Sequence, residues 1–373
     1  MKPSGVNLNN PVGQNAAYRP AEALVTQDNI LRYFAIMRRI LLLTLALFLL
    51  LACTLPTDPP PALTIETLRA QASTIPPSTP PSDVQPATAT LGIFPADGPT
   101  GKIVYTCQVA GDQLCIINAD GTNIRQLTED DNRHWYASIS PDGASVIYSA
   151  HVEDNVYEIF EINLADGVTT QLTSKLGVLI APEISPDGKS IVFTRGDAEG
   201  ASQIWLMDRS GANPHKIINR GWDPTWSPDG AQILFASDAE GANQLFVMNL
   251  DGSDPSTGSG QGLRRVTDFD ALRGRSDWSP DGAWMVTYNG PAWNREVFIF
   301  RPDFSDLRQL TPSGGNSQGP GFSPDGKWVV FTSYFDHYGD DLGCEIYILR
   351  VDGTDLRRLT DNDYCDYQPR WGP

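Results

Sequence analysis

Residues 224–235 read Pro-Thr-Trp-Ser-Pro-Asp-Gly-Ala-Gln-Ile-Leu-Phe, and the Ser-Pro-Asp-Gly at the centre recurs four more times, from Ser140, Ser185, Ser279 and Ser323. Successive copies are 45, 42, 52 and 44 residues apart. Each follows an apolar residue (Ile139, Ile184, Trp226, Trp278, Phe322) and precedes a short β-rich run such as Val146–Ser149 or Val329–Thr332. Proline presets the second turn position and glycine supplies a positive φ at the end, so the tetrapeptide predicts a tight hairpin between two strands. Its aspartates look like ligands but are read as turn formers.

Two further runs complete every unit. Tyr157–Asn163, Gln203–Asp208, Gln244–Asn249, Glu296–Phe300 and Glu345–Leu349 alternate apolar positions as strands do. A shorter run then closes the unit, often as Gln-Leu-Thr or Arg-Leu-Thr, as at Gln171–Thr173 and Arg358–Thr360. Four strands in about 40–50 residues is the period of a propeller blade.

Counting blades fixes the closure. Residues 101–128 supply three strands, and the last residues, Gln368 to Pro373, supply one of the first type. Three plus one complete a sixth blade. The expected fold is therefore all-β: a six-bladed β-propeller of four antiparallel strands per blade. The C-terminal strand pairs with the first blade and so closes the ring and covers open edges.

The pattern Pro-x-Trp-Ser-Pro-Asp-Gly, Ile-x-Phe, then the Leu245–Gly252 segment and a closing Leu-Thr resembles the six-bladed propellers of TolB-like proteins, over roughly residues 101–373. The resemblance implies a propeller that binds a protein partner. The same repeats occur in propellers of prolyl oligopeptidase-like enzymes, but no hydrolase domain is expected after this one.

Composition narrows the function classes. The 373 residues carry 45 acidic and 27 basic side chains, a formal net charge of −18, with 29 Pro and 33 Gly. Such a surface repels a phosphate backbone, so nucleic acid is not an expected partner. Residues 1–100 hold six charges of each sign, which leaves the whole excess to residues 101–373.

The leader has its own grammar. Residues 1–36 have no evident role and are read as an upstream extension. Met37-Arg38-Arg39 opens a signal peptide over residues 37–52, whose uncharged run Ile40–Ala52 is too short to span a membrane. Leu50-Leu51-Ala52-Cys53 resembles the lipobox of bacterial lipoproteins, which implies that Cys53 is lipidated and that the body sits outside the cytoplasm on a membrane anchor. An ordinary signal peptide cleaved nearby is the alternative. Residues 53–100, rich in Pro and Thr, are read as a tether with a reach on the order of 100 Å.

Function is expected on the long loops of one face, which include Glu129–Tyr136, Ser174–Ala181, Asp268–Arg275, Pro312–Gly319, Asp336–Gly343 and Asp361–Gln368. His134, Trp135, Tyr136, Trp222, Trp293, Tyr338, Tyr364 and Tyr367 are the candidate binding residues, because Trp and Tyr give large contact area at small entropic cost. Asp340, Asp341, Asp361 and Asp363 gather acid at one edge. They can hold Ca²⁺ through oxygen ligands, attract a basic partner or simply solvate the rim; no other cofactor is expected. Cys107, Cys115, Cys344 and Cys365 are even in number in an exported domain. Three pairings are open and locality favours Cys107–Cys115 with Cys344–Cys365; a thiolate metal site is the other reading. Gly315-Asn316-Ser317-Gln318-Gly319 matches a nucleophile elbow in letters only, since it lies between two propeller strands.

The leading reading is a monomeric, membrane-anchored, non-catalytic module that binds a protein or peptide, or an envelope glycan, at the loop face. The alternative is a metal-dependent carbohydrate-active enzyme of lyase type, using loop histidines and carboxylates at the channel mouth.

Overall fold

The computed structural model describes residues 98–373 except 197–199, 251–261 and 336–342. The extension, signal peptide, Cys53 and almost all of the tether therefore lie outside the described residues, as do Tyr338, Asp340 and Asp341.

Every regular element described is a strand. The first three are β1 (Lys102–Cys107), β2 (Gln113–Asn118) and β3 (Arg125–Gln126). The second blade is β4 (His134–Ile139), β5 (Ser145–Glu153), β6 (Val156–Asn163) and β7 (Thr169–Gln171). The third is β8 (Val178–Ile184), β9 (Ser190–Gly196), β10 (Ser202–Asp208) and β11 (His215–Ile218). The fourth is β12 (Trp222–Trp226), β13 (Gln232–Ser237), β14 (Gln244–Asn249) and β15 (Leu263–Arg265). The fifth is β16 (Leu272–Trp278), β17 (Met285–Asn289), β18 (Glu296–Phe300) and β19 (Arg308–Gln309). The sixth is β20 (Gln318–Phe322), β21 (Trp328–Ser333), β22 (Glu345–Arg350) and β23 (Arg357–Arg358).

The last strand, β24 (Asp366–Gly372), pairs antiparallel with β1 and completes the first blade in the order β24-β1-β2-β3. The first strands of consecutive blades lie against one another, and β24 touches both β20 and β4. The ring is thus closed by the chain's own end, as the strand count required. Gly372 must be glycine there, because a Cβ would lie 2.5 Å from that of Ile139 in the second blade.

Each repeated turn is built the same way. In the first, Ser140 Oγ donates to Asp142 Oδ1 at 2.6 Å and accepts from the backbone N–H of Ser145 at 2.9 Å. The carboxylate also accepts from the N–H of Ala144, and Gly143 sits at φ 69°. These bonds hold the Asp142 carboxyl below its usual range, and the same serine bond helps bring Asp187 down to about 2. The turn-former reading of these aspartates holds.

The closing threonine has an equally local reason. Thr128, Thr173, Thr267, Thr311 and Thr360 are buried, and each Oγ1 accepts from a backbone N–H of the third strand of its blade, at 2.9–3.0 Å. Each therefore satisfies a ladder donor beyond the reach of the short fourth strand.

Core lies between blades. Val104, Leu114 and Ile116 of the first pack on Ala137, Ile139 and Val146 of the second, and Ile204 and Phe235 join the third to the fourth. Phe235 has no exposed surface, and such burial contributes roughly 2–3 kcal/mol. Trp226 and Trp278 are buried at the strand position where packing was expected of them, and Trp371 is partly buried there.

Candidate functional site: the mouth of the central channel

The six innermost strands share one irregularity. In each, pairing with the next strand slips, and a residue four positions before the repeated serine, or its equivalent, adopts positive φ. These residues are Tyr136 (54°), Ala181 (53°), Asp223 (50°), Arg275 (36°), Gly319 (65°) and Gln368 (56°). A β-bulge re-aims a side chain and bends its strand. Six at one level make a ring of re-aimed residues, the upper rung. Two residues further along, Ser138, Glu183, Thr225, Asp277, Gly321 and Arg370 form the lower rung.

The bulges correct the sequence reading at its weakest point. His134, Trp135, Tyr136, Trp222 and Tyr367 were placed on or beside loops, but they belong to β4, β12 and β24. A bulge breaks the period-two alternation that announces a strand, so the upper ends of these strands looked like loop.

Side chains of both rungs clasp other blades of the ring. Gln368 Oε1 accepts from the N–H of Tyr136 at 3.0 Å, and Asp223 Oδ2 from that of Arg275 at 3.1 Å. Below, Glu183 Oε1 accepts from Thr225 Oγ1 and the N–H of Trp226, at 2.9 and 3.1 Å. Asp277 Oδ2 accepts from the N–H of Phe322 at 2.8 Å. Arg370 donates Nη1 to Pro320 O at 2.8 Å and Nη2 to Ser276 O at 3.3 Å, tying the C-terminal strand to the fifth and sixth blades.

Burial governs the titration of these groups. It lifts the Glu183 carboxyl to about 7, with Arg370 opposing and Asp277 reinforcing the rise. Asp223 and Asp277 are also raised by burial, against the pull of Arg275 and Arg370 respectively. Burial, with repulsion from Arg370, lowers the Arg275 guanidinium to about 10.

Above the upper rung opens a cavity of about 380 Å³, lined among others by Tyr136, Asp223, Arg275, Tyr288, Gln318, Tyr334, Tyr367 and Gln368. Gln108 and Tyr334, from connections between second and third strands, place it on the expected face. Of the eight predicted binding residues, Tyr136 and Tyr367 line it. The Tyr367 hydroxyl donates to Asp112 Oδ1 at 2.8 Å and accepts from Trp135 Nε1 at 2.9 Å.

The other described candidates do not line it. His134 is 2% exposed, its Nε2 is 2.8 Å from Asp130 Oδ1, and it borders a separate cavity of about 250 Å³. Trp222 packs on the core between the fourth and fifth blades, and Tyr364 on that beside Cys107 and Cys115. Trp293 is 38% exposed, with its ring against Tyr334.

Both disulfides favoured by locality are formed, Cys107–Cys115 and Cys344–Cys365, so the thiolate metal reading falls. Asp361 is ion-paired with Arg358 at 2.7 Å and Asp363 is exposed. Among the described residues no group of three His, Cys, Asp or Glu is placed to hold a metal ion. Ser317 of the elbow-like string is buried, with its Oγ 3.2 Å from that of Ser333.

What the sequence reading missed is the set Asp223, Arg275, Tyr288, Gln318, Tyr334 and Gln368. Its signal was present: position −4 from the repeated serine is polar or aromatic in three of the five full repeats, inside a segment that should be strand.

Comparison with known proteins places this architecture. Residues 88–333 match the TolB β-propeller domain, PD40. The crystal structure of TolB from Acinetobacter baumannii superposes with a TM-score of 0.62 at 25% identity, covering 73% of this chain and 67% of that one. An uncharacterized protein of Agrobacterium fabrum is 28% identical over 197 residues, 51% of this chain and 66% of the relative. The Tol-Pal system protein TolB of Nitratidesulfovibrio vulgaris is 37% identical over 73 residues, 20% of this chain and 16% of that protein. The match therefore spans just under two thirds of the first curated relative and a small part of the second. With the repeats, the self-closed ring and the family match in agreement, the chain belongs to the TolB β-propeller family.

Proposed function

We propose that this propeller is a non-catalytic module that binds a protein or peptide at the channel mouth, held outside the cytoplasm by a lipid on Cys53. The observation that carries the binding reading is the cavity of about 380 Å³ on the loop face, where four tyrosines, three glutamines and two charged side chains converge on one opening. Rigid aromatics beside fixed polar groups are what a peptide-recognition surface needs. The two disulfides accord with an oxidising compartment, and the family's Tol-Pal member supports a protein partner.

Selection of random displayed peptides on the full-length chain tests the reading. Peptides should enrich, and Tyr367→Ala should weaken them at least tenfold by removing an aromatic wall of the mouth. No enrichment, or binding indifferent to Tyr367→Ala, contradicts it. The anchor is tested by Cys53→Ser, which should move the protein from the membrane to the soluble fraction; membrane retention would overturn the lipid assignment.

A further inference from the structure

The two buried arginines on the axis are treated differently by their surroundings. Both guanidinium nitrogens Nη1 and Nη2 of Arg370 have carbonyl acceptors. Arg275 is only 6% exposed, yet neither its Nε nor its Nη1 has a hydrogen-bond partner. The adjacent Asp223 carboxylate makes no hydrogen bond to the guanidinium: its Oδ2 accepts from the backbone N–H of Arg275, and its charge reaches the guanidinium only through space. The Tyr136 ring, with its centroid 5.3 Å from the guanidinium carbon, offers only a cation–π contact.

A second arginine stands in the same region. Arg295 donates Nη1 to Gln318 Oε1 at 2.7 Å and leaves its own Nε buried and unpartnered. Tyr288, on the cavity wall, feels both guanidinium groups, which oppose the rise that burial gives its hydroxyl. In a chain of net charge −18, this concentration of unsatisfied cationic donors is anomalous. A buried donor without an acceptor is costly, and a planar guanidinium fork matches a carboxylate in shape and charge.

We propose that the channel mouth is a carboxylate-binding site, in which Arg275, assisted by Arg295, receives the acidic side chain or free C-terminus of a bound peptide. The site rests on the peptide-binding reading for the source of its carboxylate, but the two can fail separately.

The test is an arginine Nε–Hε spectrum of the ¹⁵N-labelled full-length chain, titrated with N-acetylglycinate and, separately, with N-acetylglycinamide at equal ionic strength. Arg275→Lys, which keeps the charge, assigns the resonance by its loss. The acid should shift the Arg275 signal saturably and the neutral amide should not. Tyrosine fluorescence should report a midpoint at least tenfold higher for Arg275→Lys, with Arg275→Gln as a second variant should the first fold poorly. No saturable shift, or an equal shift with the amide, overturns the proposal. If displayed peptides fail to bind while N-acetylglycinate still shifts Arg275, the carboxylate site stands and the peptide reading falls. If peptides bind equally as free acids and as amides with their acidic residues neutralised, the peptide reading stands and the carboxylate site falls.

Discussion

The two rungs of the channel carry similar residues and put them to different use. On the lower rung, Glu183, Asp277 and Arg370 each hold a backbone group of a neighbouring blade, so charge serves as mortar. On the upper rung, Asp223 and Gln368 do the same, but Arg275 spends its guanidinium on no protein acceptor. The difference separates residues kept for closure from one kept for a ligand. Buried charge alone does not mark a functional group; buried charge left unsatisfied beside an open cavity does.

The largest effect should come from breaking the lower rung. Arg370→Met leaves Glu183 and Asp277 without their cation and two carbonyls without a donor, and should cost about 3–5 kcal/mol in urea unfolding. A cost below about 1 kcal/mol would mean that the rungs do not differ as described.

Acidity separates the axis and closure seam from the exposed turns by sign. Asp366, with no exposed surface, is raised by burial to about 7, and Glu183 stands at about 7 for the same first reason. A carboxyl raised in the folded state gives its full stability below its unfolded value near 4 and loses it as pH rises through about 7. Stability should therefore fall between pH 4 and 7, by up to about 4 kcal/mol from Asp366. The turn aspartates, with depressed values, act oppositely and lose their contribution as pH falls below about 4 toward 2. Asp366→Asn should flatten the upper limb in urea titrations at pH 5 and 8. An unchanged slope would remove Asp366 as its source.

The smallest effect belongs to a single turn. Ser140→Ala removes the hydroxyl that bridges Asp142 and Ser145 and should cost about 1 kcal/mol in thermal or urea unfolding. Equal costs at Ser185 and Ser227 would show that the repeats contribute uniformly, unlike the rungs.

The parts legible in the sequence are those where physics acts locally. Ser227 to Gly230 contain their own turn chemistry, Thr267 its own bond to the third strand, and the strand count forced the closure between β1 and β24. The mouth was harder for two reasons. Tyr136, Asp223 and Arg275 sit on bulges, which erase the alternation by which a strand is recognised. Tyr136 meets Tyr367 and Gln368 only because the ring closes, although they come from distant parts of the chain. Choosing Trp and Tyr by residue type therefore found Tyr136 and Tyr367, while Trp222 and Tyr364 proved to be packing residues. The registration of each residue against Ser-Pro-Asp-Gly was the better guide, because that turn sets the height of every side chain along the axis.

The account turns on Arg275 being retained for a ligand rather than for the fold, and one variant measures both. For Arg275→Gln, urea unfolding should cost about 1–2 kcal/mol, less than Arg370→Met, since Asp223 loses the pull of its cation but no hydrogen bond to a protein acceptor is lost. The affinity of the same folded protein for a selected acidic peptide should fall at least tenfold. Destabilisation by about 3 kcal/mol with peptide affinity unchanged would contradict it and return Arg275 to the mortar of the ring.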